Sequence, residues 1–267
     1  MLARARVVVE CDGSGRTVVR ELRSQAPLTL LPQRGAAAAR SPVATVHVVG
    51  SASTPLGGDD VTLEVEVGPG AQLVLTGVAA TLALPGQGGA VASRLVVRLQ
   101  VGERAAVQYL PEPTIVTRRA EHHSELHAEL GPGARLRCRE VLVAGRSGEG
   151  SGRFQGLTSV REAGCPLLVQ AQELGDAALH ASAAHLAGRR VLGTELLVWG
   201  DDPPAAHAGV WWSLTPLARR GSLATAVGTD AVATTRDLAT AIACHPGWSR
   251  EVLTTATPEE GADKLRP

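Results

Sequence analysis

The chain has 267 residues, of which 44% are hydrophobic and only 2% are aromatic. Its 26 Lys+Arg residues balance its 26 Asp+Glu residues, so the formal net charge is zero. A neutral chain without clustered basic residues lacks the electrostatic footprint of a protein that binds nucleic acid or an anionic membrane. The scarce aromatic side chains leave little material for stacking on bases or sugars. We therefore expect no nucleic-acid partner and no membrane partner.

The cysteines and the N-terminal residues indicate a cytoplasmic protein. The four cysteines form no Cys-x-x-Cys pair, which excludes a zinc ribbon and a thioredoxin-like redox motif. Only three apolar residues, 7–9, precede Glu10, too few for the apolar core of a signal peptide. The sequence contains no apolar run of about 18 residues, the length that a membrane-spanning helix requires.

From Val7 to about Leu174 the sequence is typical of strands separated by tight turns. The clearest strand is 61–67, in which apolar residues alternate with Thr62, Glu64 and Glu66. A period of two with β-branched residues predicts a half-buried strand. Glycine or proline bounds the other segments with strand character, which are 44–49, 72–76, 94–101, 105–110, 125–130 and 135–144.

A repeated pattern of strand, glycine-centred turn and strand predicts how these strands stack. The segment 66–75 (EVGPGAQLVL) returns at 129–138 (ELGPGARLRC), and a weaker copy lies at 101–109. The first turn glycines, Gly68, Gly102 and Gly131, recur at intervals of roughly 30 residues, as expected for layers that bury one another's apolar faces. We therefore predict an all-β fold: a layered, β-helical or β-sandwich-like body of many short strands with a few short helices.

The C-terminal part is more mixed. Residues 176–187 fit either a short amphipathic helix or a strand, and 191–199 and 210–214 fit apolar strands. Short strands are predicted at 223–227 and 230–235, followed by a helix at 235–244 that Pro246 stops. No break in composition divides the chain, so we predict one β-rich domain over 1–253 and a polar, frayed tail over 254–267.

Three of the eight histidines lie in the single segment 121–127 (EHHSELH). On a strand, His123, Glu125 and His127 share one face, whereas His122 points to the other. Two imidazoles four residues apart on a strand are about 13 Å apart, too far to bind one ion without a bend or a third strand. The cluster of His122, His123 and His127 is therefore either a solvated polar face or a weak, exchangeable site for a transition metal.

Carboxylates are the more informative ionisable groups. Asp59 precedes the strand that carries Glu64 and Glu66, and Glu112 lies between two prolines. Glu140 interrupts an apolar run. If its side chain faced inward, burial of the carboxylate would be costly unless it were paired, hydrated or functional, whereas an outward-facing glutamate on a strand is common. The sequence alone leaves both orientations open.

Several segments, in one order along the chain, resemble the urease accessory protein UreD family, also called UreH. Leu110-Pro-Glu-Pro-Thr-Ile115 resembles a Leu-Pro-x-Pro-x-Ile signature of that family. The other matching segments are 55–60 with 68–71, 75–81, and 133–140 with 145–149. The chain departs from the family at Gly77, where a second threonine is usual, and at 82–86, where a basic and aromatic segment is usual.

The resemblance implies a β-helical protein that is not an enzyme. Such a protein is expected to join urease apoprotein to UreF-like and UreG-like accessory proteins, the latter a GTPase, and to help deliver nickel. Ni²⁺ would be bound transiently, with no tightly bound cofactor. The resemblance also implies acidic residues along an internal passage for nickel. By their place in the matching motifs, these residues are expected to be Asp59, Glu64, Glu66 and Glu140. Turn or partner contacts are expected at Glu112, Arg146 and Glu149.

Two alternatives come from the residues themselves. One is a metal-dependent enzyme on a cupin-like β-barrel that uses His123 and His127. The other is a generic β-rich module that binds a glycan or a protein, although a glycan module usually exposes more aromatic side chains than this chain contains.

Overall fold

The computed structural model describes residues 1–86 and 91–251, without the side chains of 249–251. The predicted tail at 254–267 lies outside the described residues. The strands in chain order are β1 (Leu2–Cys11), β2 (Thr17–Arg23), β3 (Leu28–Pro32), β4 (Ala44–Gly50), β5 (Asp60–Val67), β6 (Gln72–Gly77), β7 (Thr81–Ala83), β8 (Ser93–Val101), β9 (Ala106–Leu110), β10 (Thr114–Val116), β11 (Glu121–Leu130), β12 (Arg135–Ala144), β13 (Arg153–Glu162), β14 (Cys165–Leu174), β15 (Val191–Val198), β16 (His207–Ala208), β17 (Trp212–Pro216) and β18 (Ser222–Gly228). The helices are α1 (Ala36–Arg40), α2 (Ala177–Ala181), α3 (Ala231–Ala243) and α4 (Pro246–Glu251).

The strands form two sheets. Sheet A has the order β14-β13-β11-β8-β5-β1-β2, and sheet B has the order β16-β17-β18-β15-β12-β9-β6-β4-β3, with β10 beside β12 and β7 beside β10. Neighbours pair in parallel from β1 to β13 and from β4 to β12. An apolar core lies between the sheets and includes Leu63 and Leu99 from sheet A and Leu75 and Leu136 from sheet B.

The predicted layered, all-β architecture is confirmed, because each repeat contributes one strand to each sheet. β5, β8 and β11 are neighbours in sheet A, and the strands that follow them, β6, β9 and β12, are neighbours in sheet B. The turns between them also stack. The Gly102 N–H donates to the Val67 carbonyl at 2.8 Å, and the Gly131 N–H donates to the Val101 carbonyl at 2.8 Å.

Close stacking of these turns explains why glycine recurs in them. A Cβ atom on Gly102 would lie 2.7 Å from the backbone nitrogen of Pro69, and one on Gly131 would lie 2.8 Å from that of Glu103. Carbon and nitrogen atoms that are not bonded do not approach so closely, so a side chain at either position would push the layers apart.

The alternation predicted for 61–67 is confirmed in β5. Leu63 and Val65 are buried in the core, whereas Glu64 is half-buried and Glu66 is exposed. The outer face of sheet A therefore carries the polar half of each alternating strand.

The C-terminal part contains a helix where a strand was predicted. The prediction of a strand at 230–235 is wrong, because the Asp230 carboxylate accepts the Ala233 N–H at 2.8 Å and caps the start of α3. The helix predicted at 235–244 is confirmed as the later part of α3. Residues 176–187 contain the short helix α2, which Asp176 caps.

Helix α3 covers the outer face of sheet B. Its residues Leu238, Ala241 and Ile242 pack in one apolar cluster with Val141 of β12 and Leu197 of β15. Within residues 1–86 and 91–251, no helix has the length and apolar character needed to cross a membrane.

Candidate functional site: a cavity between the sheets

A cavity of about 390 Å³ lies between the two sheets, at the end opposite the glycine turns. Its lining is largely apolar and includes Leu63 and Leu126 of sheet A. The polar side chains of the lining include Tyr109, Glu112, His122, Ser124, Cys138 and Glu140. Few polar groups in an otherwise apolar concavity are typical of a functional site.

Glu140 points into this cavity because it shares a face of β12 with Leu136 and Cys138. Leu136 and Cys138, on the same face of the strand, lie in the core between the sheets, whereas Val141 packs under α3 on the other face. Burial raises the pKa of Glu140 to about 7, and a hydrogen bond involving Ser124 opposes this rise. The orientation left open by the sequence is therefore inward, and the carboxyl group exchanges its proton near neutral pH.

Tyr109 and Cys138 flank this carboxyl group. They are register partners in the parallel pair β9–β12. Burial raises the pKa of the Tyr109 phenol and of the Cys138 thiol, and the negative charge of Glu140 raises both further. Both groups therefore stay protonated near pH 7, which leaves Glu140 as the acid of this trio that ionises.

His122 adds a neutral imidazole from sheet A. It is buried, and its Nδ1 atom lies 2.9 Å from the Ser93 hydroxyl oxygen. Burial lowers the pKa of His122 to about 4, so the ring is uncharged at physiological pH. A neutral imidazole is a ligand type that suits transition metals.

Two arginines lie on the strands that form the walls of the cavity. Arg94 lies with its Nη2 atom 2.8 Å from Glu125 Oε1, so its charge is paired. Arg139 donates from Nη2 to the Pro111 carbonyl at 3.4 Å, and its buried Nε atom has no hydrogen-bond partner. Arg94 is the register partner of the outward-facing His123, and Arg139 alternates with the inward-facing Cys138 and Glu140, so both charges lie on strand faces that point away from the space between the sheets.

The structure separates the histidines of the predicted cluster. His123 and His127 lie on the outer face with Glu125, whose carboxylate is 3.0 Å from His127 Nε2, whereas His122 faces the core. Among the described side chains, no three His, Cys, Asp or Glu residues are placed to hold a metal ion. A weak metal site on this face stays a prediction.

Asp59 is buried but is not part of the cavity lining. Its carboxylate accepts hydrogen bonds from the Met1 nitrogen at 2.7 Å, the Leu56 N–H at 2.9 Å and the Thr54 hydroxyl at 3.2 Å. Burial would raise the pKa of Asp59, but these hydrogen bonds outweigh it and lower the pKa. Asp59 therefore fixes the turn before β5, and its role in a nickel passage stays a prediction.

Glu64 and Glu66 lie on the outer face of sheet A rather than in the cavity. Both carboxylates pair with the Arg6 guanidinium, at 3.3 Å and 2.9 Å. The structure thus does not bring these two acids together with Glu140.

Glu112 lines the cavity, and its position explains the departure at Gly77. A Cβ atom on Gly77 would lie 2.8 Å from the backbone nitrogen of Glu112. The threonine that is usual in the family would therefore displace the Leu-Pro-Glu-Pro segment of this chain.

Arg146 and Glu149 form a turn after β12. The Arg146 Nε atom donates to the Glu149 carboxylate at 2.8 Å, and this bond lowers the pKa of Glu149 to about 2. Arg190 holds the same turn by donating to the carbonyls of Ala144 and Gly145 at 3.1 Å and 3.0 Å.

Sequence reasoning missed most of the cavity lining. The available signal was the spacing of Cys138 and Glu140, which share a face of one predicted strand. The contribution of Tyr109, Ser124 and His122 depends on which strands become neighbours, and periodicity within one strand does not contain that information.

The fold and the site together define a β-helical protein with ionisable groups in an internal cavity. A family model described as "UreD urease accessory protein" matches residues 2–261. "Urease accessory protein UreD 1" of Saccharopolyspora erythraea is 52% identical over 92% of this chain and 96% of its own length. "Urease accessory protein UreD" of Parafrankia sp. is 40% identical over 88% of this chain and 86% of its own length, and "Urease accessory protein UreD 3" of Streptomyces griseus is 40% identical over 86% and 91%.

The chain therefore belongs to the UreD family of urease accessory proteins. The resemblance stated from the sequence is confirmed. The family consists of accessory proteins, so the chain is not an enzyme, and the alternative of a cupin-like enzyme that uses His123 and His127 is set aside.

Proposed function

We propose that this protein is a scaffold that joins urease apoprotein to UreF-like and UreG-like accessory proteins and helps deliver nickel to the urease active site. The assembly would work in the cytoplasm. Membership of the urease accessory family supports the general role. The inward orientation of Glu140 is the observation that supports the role in nickel delivery.

The chemistry of the cavity suits a cation that passes through rather than one that stays. A carboxyl group whose pKa is about 7 is partly ionised at neutral pH, so it attracts Ni²⁺ without forming a complete ligand set. The neutral imidazole of His122 offers a second ligand type in the same lining. Sites with few ligands bind weakly, and weak sites let an ion leave again.

No phosphate-binding loop occurs in the sequence, so GTP would bind the UreG-like partner. The glycine-rich stretch 145–152 contains no lysine and is followed by β13 rather than by a helix. The energy of GTP hydrolysis would thus enter the assembly through the partner.

The test is to coexpress urease with its accessory proteins at limiting nickel and to replace Glu140→Gln. This substitution keeps the size of the side chain and removes its negative charge. We expect the nickel content of purified urease to fall several-fold while the accessory complex still forms.

Glu64→Gln is the matched control, because it makes the same chemical change on the outer face. It should leave nickel content unchanged. Normal nickel content with Glu140→Gln, or equal losses of nickel and of complex, would contradict a role of Glu140 in delivery.

A further inference from the structure

Arginines from separate parts of the sequence meet at the end of the sheets away from the glycine turns. Arg118 and Arg119 lie in the loop before β11, Arg146 lies in the turn after β12, and Arg189 precedes β15. Backbone hydrogen bonds join these loops, since the Gly145 N–H donates to the Val116 carbonyl at 3.0 Å and the Ala144 N–H donates to the Arg190 carbonyl at 2.8 Å. The zero net charge of the whole chain conceals this local excess of positive charge.

Arg118 and Arg146 line an open concavity of about 470 Å³ together with Glu149 and the other residues of the turn after β12. Glu149 is paired with Arg146 at 2.8 Å and so adds no unpaired negative charge. Arg118 and Arg119 are both exposed, and none of the ion pairs formed by the described residues includes them. Two guanidinium groups are therefore available to a partner.

An exposed apolar and aromatic surface adjoins Arg189 at this end of the sheets. The Arg189 guanidinium carbon lies 3.4 Å from the centre of the Trp211 ring. Trp211 is 37% exposed and Val210, beside it in the turn between β16 and β17, is 86% exposed. Tryptophan and arginine are the residues that most often dominate the energy of protein–protein interfaces.

We propose that this surface, the arginine end (Arg118, Arg119, Arg146 and Arg189 with Val210 and Trp211), docks an acidic segment of a protein partner. Charge complementarity with the arginines selects acidic residues, and an apolar side chain of the segment packs against Trp211 and Val210. Arg190 already fixes the turn after β12 through two hydrogen bonds to its carbonyl groups. Binding of a partner to Arg146 therefore costs little conformational entropy in this loop. Assigning the partner to the urease assembly rests on the proposed function.

A protein segment fits this surface better than a nucleic acid does. Trp211, which stacks against Arg189, offers a surface on which an apolar side chain of a peptide can pack and which a phosphate backbone cannot use. A valine that is 86% exposed also has no role in binding phosphates.

The direct test measures binding of a fluorescent peptide of alternating glutamate and leucine to the purified full chain by anisotropy. We expect the double substitution Arg118→Glu with Arg119→Glu to weaken binding by about tenfold or more, and Trp211→Ala to weaken it less. Raising the salt concentration should weaken binding to the unmodified protein, because exposed charges are screened.

The matched control is Arg16→Glu with Arg104→Glu, which reverses two exposed arginines at the other end of the sheets. Arg104 and Arg119 also share a positive φ, 54° and 66°, so the backbone context is comparable. A peptide with glutamine in place of glutamate controls for the apolar contribution. Circular dichroism spectra of all variants must match that of the unmodified protein.

Co-purification of tagged protein with coexpressed urease and accessory subunits then identifies the partner. We expect the variant with reversed Arg118 and Arg119 to lose one partner and keep another, while the control variant keeps both. Equal retention of every partner by the two variants overturns the proposal.

Two other outcomes are decisive. If the unmodified protein captures no urease component, the proposed function is wrong. The peptide assay then decides by itself whether the arginine end binds an acidic segment. Equal peptide binding by both double variants, no peptide binding, or tighter binding of a labelled DNA duplex than of the peptide overturns the proposal.

Discussion

At the scale of single residues, Glu140 shows how a regular pattern can place a charged group in a core. Its strand alternates as an amphipathic strand should, and a glutamate occupies one inward position. The cost of burial appears as a pKa raised to about 7. Ser124 reduces that cost, and the open space of the cavity spares the carboxyl group direct apolar contact on every side.

The raised pKa of Glu140 predicts a pH dependence of stability. The ordinary pKa of a glutamate is 4.5, so between about pH 5 and pH 7 the folded protein holds a proton that the unfolded chain has lost. Its contribution to the free energy of unfolding is therefore full at low pH and is lost as the pH rises through 7. Between about pH 5 and pH 8, the free energy of unfolding of the unmodified protein should fall by on the order of 2 kcal/mol more than that of Glu140→Gln, as measured by urea unfolding. The lowered pKa of His122 acts equally in both proteins and cancels, so parallel pH profiles would contradict this prediction.

The buried ion pair of Arg137 and Glu195 predicts a large loss of stability when one partner is removed. Glu195 is only 1% exposed, and Arg137 also stacks against the Trp248 ring at 4.4 Å. Arg137→Ala leaves a buried carboxylate without its partner. We therefore expect the free energy of unfolding, measured by urea titration, to fall by about 3 kcal/mol.

The exposed pair of Arg20 and Glu10, 2.9 Å apart, provides the control for this prediction. Arg20→Ala should change stability by less than about 1 kcal/mol, because solvent screens the pair. Similar effects of the two substitutions would show that burial of Arg137 and Glu195 is not what sets the cost.

At the scale of elements, the glycine turns connect the sequence repeat to the stacked layers. Strand alternation and turn residues are local signals, so β5, β6, β8, β9 and β12 could be predicted closely from the sequence. The predicted strand at 230–235 failed because β-branched residues favour a strand, whereas the cap by Asp230 and packing of α3 on sheet B decide in favour of a helix. Tertiary packing overrides a weak local preference in such cases.

The stacked turns predict that Gly131→Ala destabilises the protein. Its new Cβ atom would lie 2.8 Å from the backbone nitrogen of Glu103, which cannot move without disturbing the layer. We expect a loss of about 1–3 kcal/mol in the free energy of unfolding. Gly13→Ala is the control, since no atom lies within 4 Å of the added methyl group, and thermal unfolding of the two variants checks the prediction. Equal melting temperatures would mean that the layers tolerate a side chain in the turn.

At the scale of the whole molecule, the neutral total of charges hides an uneven distribution. Acids on the outer face pair with arginines such as Arg6, whereas Glu140 faces inward, where Ser124 is its hydrogen-bond partner. The arginine end gathers positive charge from loops far apart in sequence. Strand alternation and the repeated glycine turn could predict the fold class, and the order of the motifs could predict the family. The cavity lining and the arginine end could not be predicted, because both arise from the way in which distant strands and loops meet.

The most direct test of the central claim is to measure the nickel content and activity of urease coexpressed with its other accessory proteins, with and without this chain, at limiting nickel. A scaffold for nickel delivery predicts that urease made without the chain is assembled but poor in nickel and inactive, and that supplying the chain restores both. Urease that is equally rich in nickel and equally active in its absence would contradict the claim.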